Sequence, residues 1–293
     1  MPSISIDALP ELLAPRGYVP AAEPLALPPA NAGRVDVETG APAGEEPRND
    51  LAQLLATAVA ARAGMEYEHA ATLCAAGASA ARNSGDAGWV ARFANEAAAV
   101  GLLAPPSDVP PPLEGSAFVD QPAHGRARLN AAVARALEGD VDAALAEIDT
   151  AEAELDPDDV FGRLLVLVNR AQALLERGDV RLASSAASDA LRMGRREKQD
   201  HWAALGGLSV ALTHLARGRY NETRARLGEA VRIFARYGDA LRQIQCHYLL
   251  GEVAYIGEDP IRAGAHYRDG LAIARPARAQ EWVEMLTLRF EHR

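Results

Sequence analysis

Few residues in this chain have the type and spacing to do chemistry. Glu66 and His69 form a Glu-x-x-His pair, which puts a carboxylate and an imidazole on one helix face. That is half the ligand set of a di-iron site inside a helical bundle. The other half needs a second Glu-x-x-His and two more carboxylates, and the chain holds no second copy. The plainer reading is a surface pair. Cys246 and His247 are adjacent, but helical neighbours point about 100° apart, so adjacency does not make them a nucleophile and its base. The chain lacks a GxSxG elbow, a GxxxxGK[ST] phosphate loop, GxGxxG and HExxH. The expectation is a non-enzyme with no catalytic residue, no metal and no cofactor.

Composition narrows the partners. The 293 residues carry a formal net charge of -10, which lacks the basic footprint of nucleic-acid binding and argues against anionic membrane surfaces. Neither nucleic acid nor membrane is expected as a partner. Cys74 and Cys246 are far apart and read as buried thiols, since free Cys behaves as a small hydrophobe. Residues 1–20 show no basic stretch followed by an apolar one, and no run of about 18 apolar residues occurs. A cytoplasmic location is expected. A single lysine, Lys198, among 30 basic residues, with abundant Ala, suggests GC-rich bacterial coding.

Proline placement divides the chain: nine of the 18 lie in residues 1–48 and six in 105–122. Proline costs roughly 3 kcal/mol inside a helix, so both segments are irregular and the remainder is free to be helical. Residues 1–48 read as a flexible or extended arm, in which Ile6 to Leu13 is apolar enough to dock, the protein's own groove being one place for it. From Gly125 apolar residues recur at three- and four-residue steps, as in Leu164, Leu165, Val168, Ala171 and Leu175. Glycines break the pattern at Gly139, Gly178, Gly218 and Gly257, spaced 39, 40 and 39 residues apart. A fixed period of this size marks a repeat architecture, here with two helices per period. Each first helix ends at the glycine, and the second opens with Asp near its start.

These residues resemble the tetratricopeptide repeat (TPR). Tyr248 to Tyr255 looks like the family's helix A with its small Gly251, and Gly218-Arg219-Tyr220 looks like its turn. The family's small helix B positions fall on Ala144 and Ala151, on Ala183 and Ala190, on Thr223 and Ala230, and on Ala263 and Gly270. The period exceeds the family's 34 residues, as in long variants of bacterial regulatory proteins. No helix-turn-helix is visible, unlike in regulators that carry such repeats. The resemblance implies an all-α, right-handed superhelical solenoid of antiparallel helix pairs with a disordered N-terminal arm. The expected organisation is an arm at 1–48, degenerate helices at 49–104, a Pro-rich loop at 105–124, helix pairs at 125–276 and a capping helix at 277–293. The degenerate region has one unit whose helix A is 88–103 and whose helix B the loop replaces.

In such a solenoid helix A lines a concave groove. Matching the turn glycines assigns Asn130 and Val133, Asn169 and Gln172, Leu208 and Leu212, and Tyr248, Glu252 and Tyr255 to that face. Leucines at these positions serve equally well as core between helices. Asn130 and Asn169 share one repeat position, where the family's peptide-binding members can use Asn to grip a peptide backbone. One amide offers both donors and acceptors to an extended chain. The family's carboxylate clamp needs basic residues on successive helices, and the equivalent positions here read as mostly apolar. The functional expectation is a scaffold or adaptor holding a protein or peptide partner, as a helix or extended segment. The alternative is a peptide- or ligand-sensing module that acts allosterically. Self-association, or self-insertion of the N-terminal arm, stays open. Ala183→Phe and Ala263→Phe should each cost about 1–3 kcal/mol in urea unfolding by overpacking the helix A–helix B contact; tolerance of both would contradict the assigned packing.

Overall fold

The computed structural model describes residues 18–26, 47–104 and 124–291. These hold twelve α-helices and no strand. In chain order they are α1 Pro47–Ala63, α2 Tyr67–Ser84, α3 Ala87–Leu103, α4 His124–Leu137, α5 Val141–Glu154 and α6 Val160–Glu176. There follow α7 Val180–Arg196, α8 Asp200–Ala216, α9 Tyr220–Tyr237, α10 Ala240–Ile256, α11 Pro260–Ala274 and α12 Gln280–Glu291. No helix among the described residues is long and apolar enough to cross a membrane.

The turns explain the regularity. Residues with positive φ stand at 178, 198, 218, 238, 258 and 278, each 20 after the last. Each closes a helix, as where the Gly178 amide donates to Leu175 O and the Asp179 amide to Leu174 O. Lys198, Glu258 and Arg278 occupy this left-handed position without being glycine. The last period expected from the sequence therefore needs correcting. Gly257 has φ -77 and Glu258 takes the left-handed role, so 178, 218 and 258 are 40 apart. The aspartates do more than sit near helix starts. Asp86, Asp140, Asp159, Asp239 and Asp259 are N-caps whose carboxylates accept a backbone N–H of the first turn. Pro260 follows one of these caps at a position where its missing N–H is harmless.

Each helix packs on the next, and α1 on α3, α4 on α6 and α6 on α8 also meet. The first helices of successive pairs thus form a row, and α3 packs directly on α4 across the interval where a second helix was expected to be missing. The small residues singled out in the sequence are buried: Ala144, Ala151, Ala183, Ala190, Ala230 and Ala263 lie at 0–1% exposure. Thr223, the departure from a small apolar residue, is also buried, and its hydroxyl donates to Ala211 O and Arg219 O. The tightest approach joins α7 and α8. A Cβ on Gly206 would stand 2.4 Å from the Leu191 backbone nitrogen, and one on Gly194 the same distance from that of Ala203.

The expected boundaries shift in places. Helix α1 opens at Pro47, inside the expected arm, and α4 opens at His124, inside the expected loop. Residues 18–26 of the arm do not hang free: Tyr18, Ala21, Ala22 and Leu25 are buried. The Ile6–Leu13 stretch and the prolines of 105–122 lie outside the described residues. Gly206→Val should lower stability by about 1–3 kcal/mol or more, because the clash is with backbone that cannot rotate away. A urea midpoint equal to wild type would contradict the close α7–α8 approach.

Candidate peptide site

The repeat places one side chain of each first helix at the same height, nine residues before the turn glycine. Asn130 on α4 and Asn169 on α6 hold this position, and both are buried. Their amides close on the chain's own residues 18–26. Val19 N–H donates to Asn169 Oδ1 at 2.8 Å, and Asn169 Nδ2 donates to Val19 O at 2.9 Å. Two residues on, Ala21 N–H donates to Asn130 Oδ1 at 2.8 Å, and Asn130 Nδ2 reaches Ala21 O at 3.5 Å. Two residues further, Glu23 N–H donates to Glu96 Oε2 on α3 at 3.0 Å. An extended chain repeats every two residues, and the amides of 19, 21 and 23 meet three neighbouring first helices.

The remaining polar backbone groups of this stretch are also met. Arg242 on α10 donates to Tyr18 O at 2.8 Å, Arg126 on α4 to Ala22 O at 3.3 Å and Arg62 on α1 to Glu23 O at 3.3 Å. The Ala22 amide turns back on Pro20 O at 2.8 Å, bending the segment at Ala21. From Tyr18 O to Glu23 O every backbone donor and acceptor has a partner. That is the condition for burying a peptide, because each unmet group would cost about 1–3 kcal/mol.

Two side chains of the segment make charged or polar contacts. Glu23 receives Arg92 through Nε at 3.1 Å and Nη2 at 2.9 Å, with Arg126 Nη1 at 3.5 Å. Arg92 and Arg126 each precede by one helical turn the residue that grips the backbone, Glu96 and Asn130. Arg126 is fixed by two bonds to Asp159, at 2.7 and 2.8 Å, and Arg92 lies over the Trp89 ring at 4.4 Å. The Tyr18 hydroxyl donates to Glu176 at 2.9 Å, and Gln172 donates to the other oxygen of that carboxylate. Burial pushes the Glu176 carboxyl up, against the pull of both bonds. Arg62 pairs with the buried Glu96.

Behind Tyr18 the Arg242 guanidinium is buried and also donates to Gln245 at 2.9 Å. Burial would raise the Asp239 carboxyl, but the His201 hydrogen bond at 2.9 Å and the charges of His201 and Arg242 outweigh it and hold it below the ordinary range. Burial likewise pushes the Asp159 carboxyl up, and the Arg126 bonds and charge outweigh it and hold it below the ordinary range. Near Tyr18 lies a cavity of about 1070 Å³ whose lining includes Met65, Tyr67, Leu103, Val133, Leu241 and Trp282. Helices from both ends of the array meet there. Leu25 joins Leu51, Leu55 and Val59 of α1 in a cluster with Tyr237 of α9.

Of the residues assigned to the groove, Asn130 and Asn169 hold the segment, Gln172 supports Glu176, and Val133 lines the cavity. Leu208 and Leu212 are buried in the main hydrophobic core, the alternative the sequence left open. Tyr248, Glu252 and Tyr255 are not part of the grip, and the last two helices cover the first two of them. Tyr248 meets Trp282 edge-on at 6.0 Å, and Glu252 accepts from the Tyr267 hydroxyl at 2.8 Å and pairs with Arg289 at 3.1 Å. Tyr255 is 49% exposed. The sequence reading missed Arg62, Arg92, Glu96, Arg126, Glu176 and Arg242. The four-residue spacings Arg92–Glu96 and Arg126–Asn130 were a usable signal for three of these, and they revise the expectation of apolar equivalents.

Elsewhere, Glu66 and His69 are both exposed. Cys74 and Cys246 are buried and free, and burial pushes the Cys74 thiol up to about 12. His247, His266 and the exposed Asp269 offer ligand atoms within 4.8 Å of one another, away from the segment. No protein-family model matches this chain, and no curated protein matches it.

Asp239 and Asp159 have folded-state affinities for protons below those of an unfolded Asp. Their contribution is complete above the unfolded value of about 3.9 and is lost as pH falls through the lower folded values. Urea unfolding followed from about pH 6 down to pH 2 should show stability declining across this window, with a shallower decline in Asp239→Asn. An identical slope in the variant would remove Asp239 from that role.

Proposed function

We propose that this chain is a non-catalytic TPR-like scaffold or adaptor of the bacterial cytoplasm. In this reading its helix pairs form a right-handed solenoid whose concave groove binds a protein or peptide partner as an extended segment. The observation that carries the proposal is the grip on residues 18–26. It is addressed to the peptide backbone, through side chains on five first helices, and a backbone is what every extended partner offers. The chain's own segment occupies the site, so in the resting state the groove holds part of the same molecule.

A second reading, a peptide-sensing regulator, is favoured by one feature. The segment is bonded both to Arg62 on α1 and to Arg242 on α10. Loss of the occupant would release contacts at both ends of the helix array together, which is how occupancy could be passed to a partner elsewhere on the surface.

The test uses a full-length chain in which residues 18–26 are replaced by a Gly-Ser sequence of equal length. A labelled nonapeptide with the sequence of residues 18–26 should bind it saturably at one site by fluorescence anisotropy. Adding Asn130→Ala with Asn169→Ala should weaken binding at least about tenfold, each amide serving two backbone groups. Absence of saturable binding to the folded replaced chain would overturn the reading.

A further inference from the structure

Contacts to backbone cannot choose among sequences; any residue with an N–H suits the positions of Val19, Ala21 and Glu23. Selectivity must come from side chains, and six of them in this segment are constrained, Pro20 and Leu25 by burial. Ala21 is 0% and Ala22 3% exposed, and larger side chains would have to displace packed helices. Glu23 lies 12% exposed under two arginines. Tyr18 is buried with its hydroxyl on Glu176. Val19, by contrast, is only partly buried.

The clamp around Glu23 is built in advance. Arg126 is held by Asp159 and lies 5.9 Å from the Phe161 ring centre, while Arg92 rests on Trp89. Arg62, paired with Glu96, adds a third guanidinium beside the Glu23 carbonyl. A basic side chain here would face three like charges, and one with no charge would leave Arg92 without its two carboxylate bonds. The opposite end of the segment has the opposite preference, because Glu176 accepts there and repels an acid.

We infer that the groove selects an extended partner segment with an aromatic hydroxyl, one residue of free choice, a buried residue at the position of Pro20, two small residues and then a carboxylate, and that residues 18–26 hold this partner's place in the resting chain. The inference rests on the peptide-binding reading above and adds the chemistry of the occupant. The partner is a peptide segment of another protein, so a second copy of this chain that swaps its own residues 18–26 is a different outcome.

A competition panel decides it. The replaced full-length chain, loaded with the labelled nonapeptide, is challenged with unlabelled nonapeptides carrying Glu23→Lys, Ala21→Leu, Tyr18→Phe or Val19→Thr. Should the replaced chain not fold by circular dichroism, a full-length Glu23→Arg chain takes its place. Glu23→Lys and Ala21→Leu should each raise the competing concentration at least about tenfold, through like charge and overpacking. Tyr18→Phe should raise it severalfold, and Val19→Thr should leave it within about threefold. The unaltered chain should take up little labelled peptide, and the Glu23→Arg chain more. Equal competition by all four peptides would overturn the selectivity and leave the peptide site standing, whereas failure of the labelled peptide to bind any folded chain would remove the peptide site itself. Light scattering that finds dimers of the unaltered chain, held by residues 18–26 crosslinked to a partner copy, would also overturn it.

Discussion

The arrangement rests on a constraint on the peptide group. A backbone N–H and C=O taken from water must each find a partner, and a helix or sheet normally provides them. Residues 18–26 enter the protein with neither. Their partners are side chains, and a carboxamide is the smallest group that serves both polar groups of one residue, donating with its nitrogen and accepting with its oxygen. Two asparagines at matching heights, joined by Glu96, turn the spacing of neighbouring helices into a ladder. The arginines complete it, and Arg62, Arg92 and Arg126 are each held in turn by an acid or a ring.

That ladder depends on the regularity of what lies beneath it. Small residues let helices approach until only glycine fits between α7 and α8. Left-handed turns at 20-residue intervals return each helix to register. Aspartate caps fix where five of the helices begin, and Asp159 has a further use, since the carboxylate that caps α6 also steadies Arg126. One residue thereby ties the start of a helix to the grip on Glu23.

Much of this was legible in the sequence. Helix pairs, their period and their small residues followed from glycine spacing and apolar periodicity, because those features are local. The shared height of Asn130 and Asn169 was legible for the same reason. The ligand of those amides was harder to read, since the arm's composition gives no periodic signal and its order comes from partners distant in sequence, from 39 residues away at Arg62 to 224 at Arg242. The arginines escaped because their value depends on which carboxylate arrives. Repeat matching could not see that the last helices cover Tyr248 and Glu252.

Residues 18–26 belong to the same covalent chain as the surface they occupy. An intramolecular ligand acts at an effective concentration, often in the millimolar range for a short connection. A free peptide with the same contacts, present at micromolar levels, would face a competitor roughly a thousandfold more abundant. Matching the built-in segment is therefore not enough to displace it. A successful partner needs some contact that residues 18–26 lack, such as a side chain for the cavity beside Tyr18, or it needs an event that weakens the segment first. Under the proposed reading, the covalent link thus sets an affinity threshold that a free peptide must exceed.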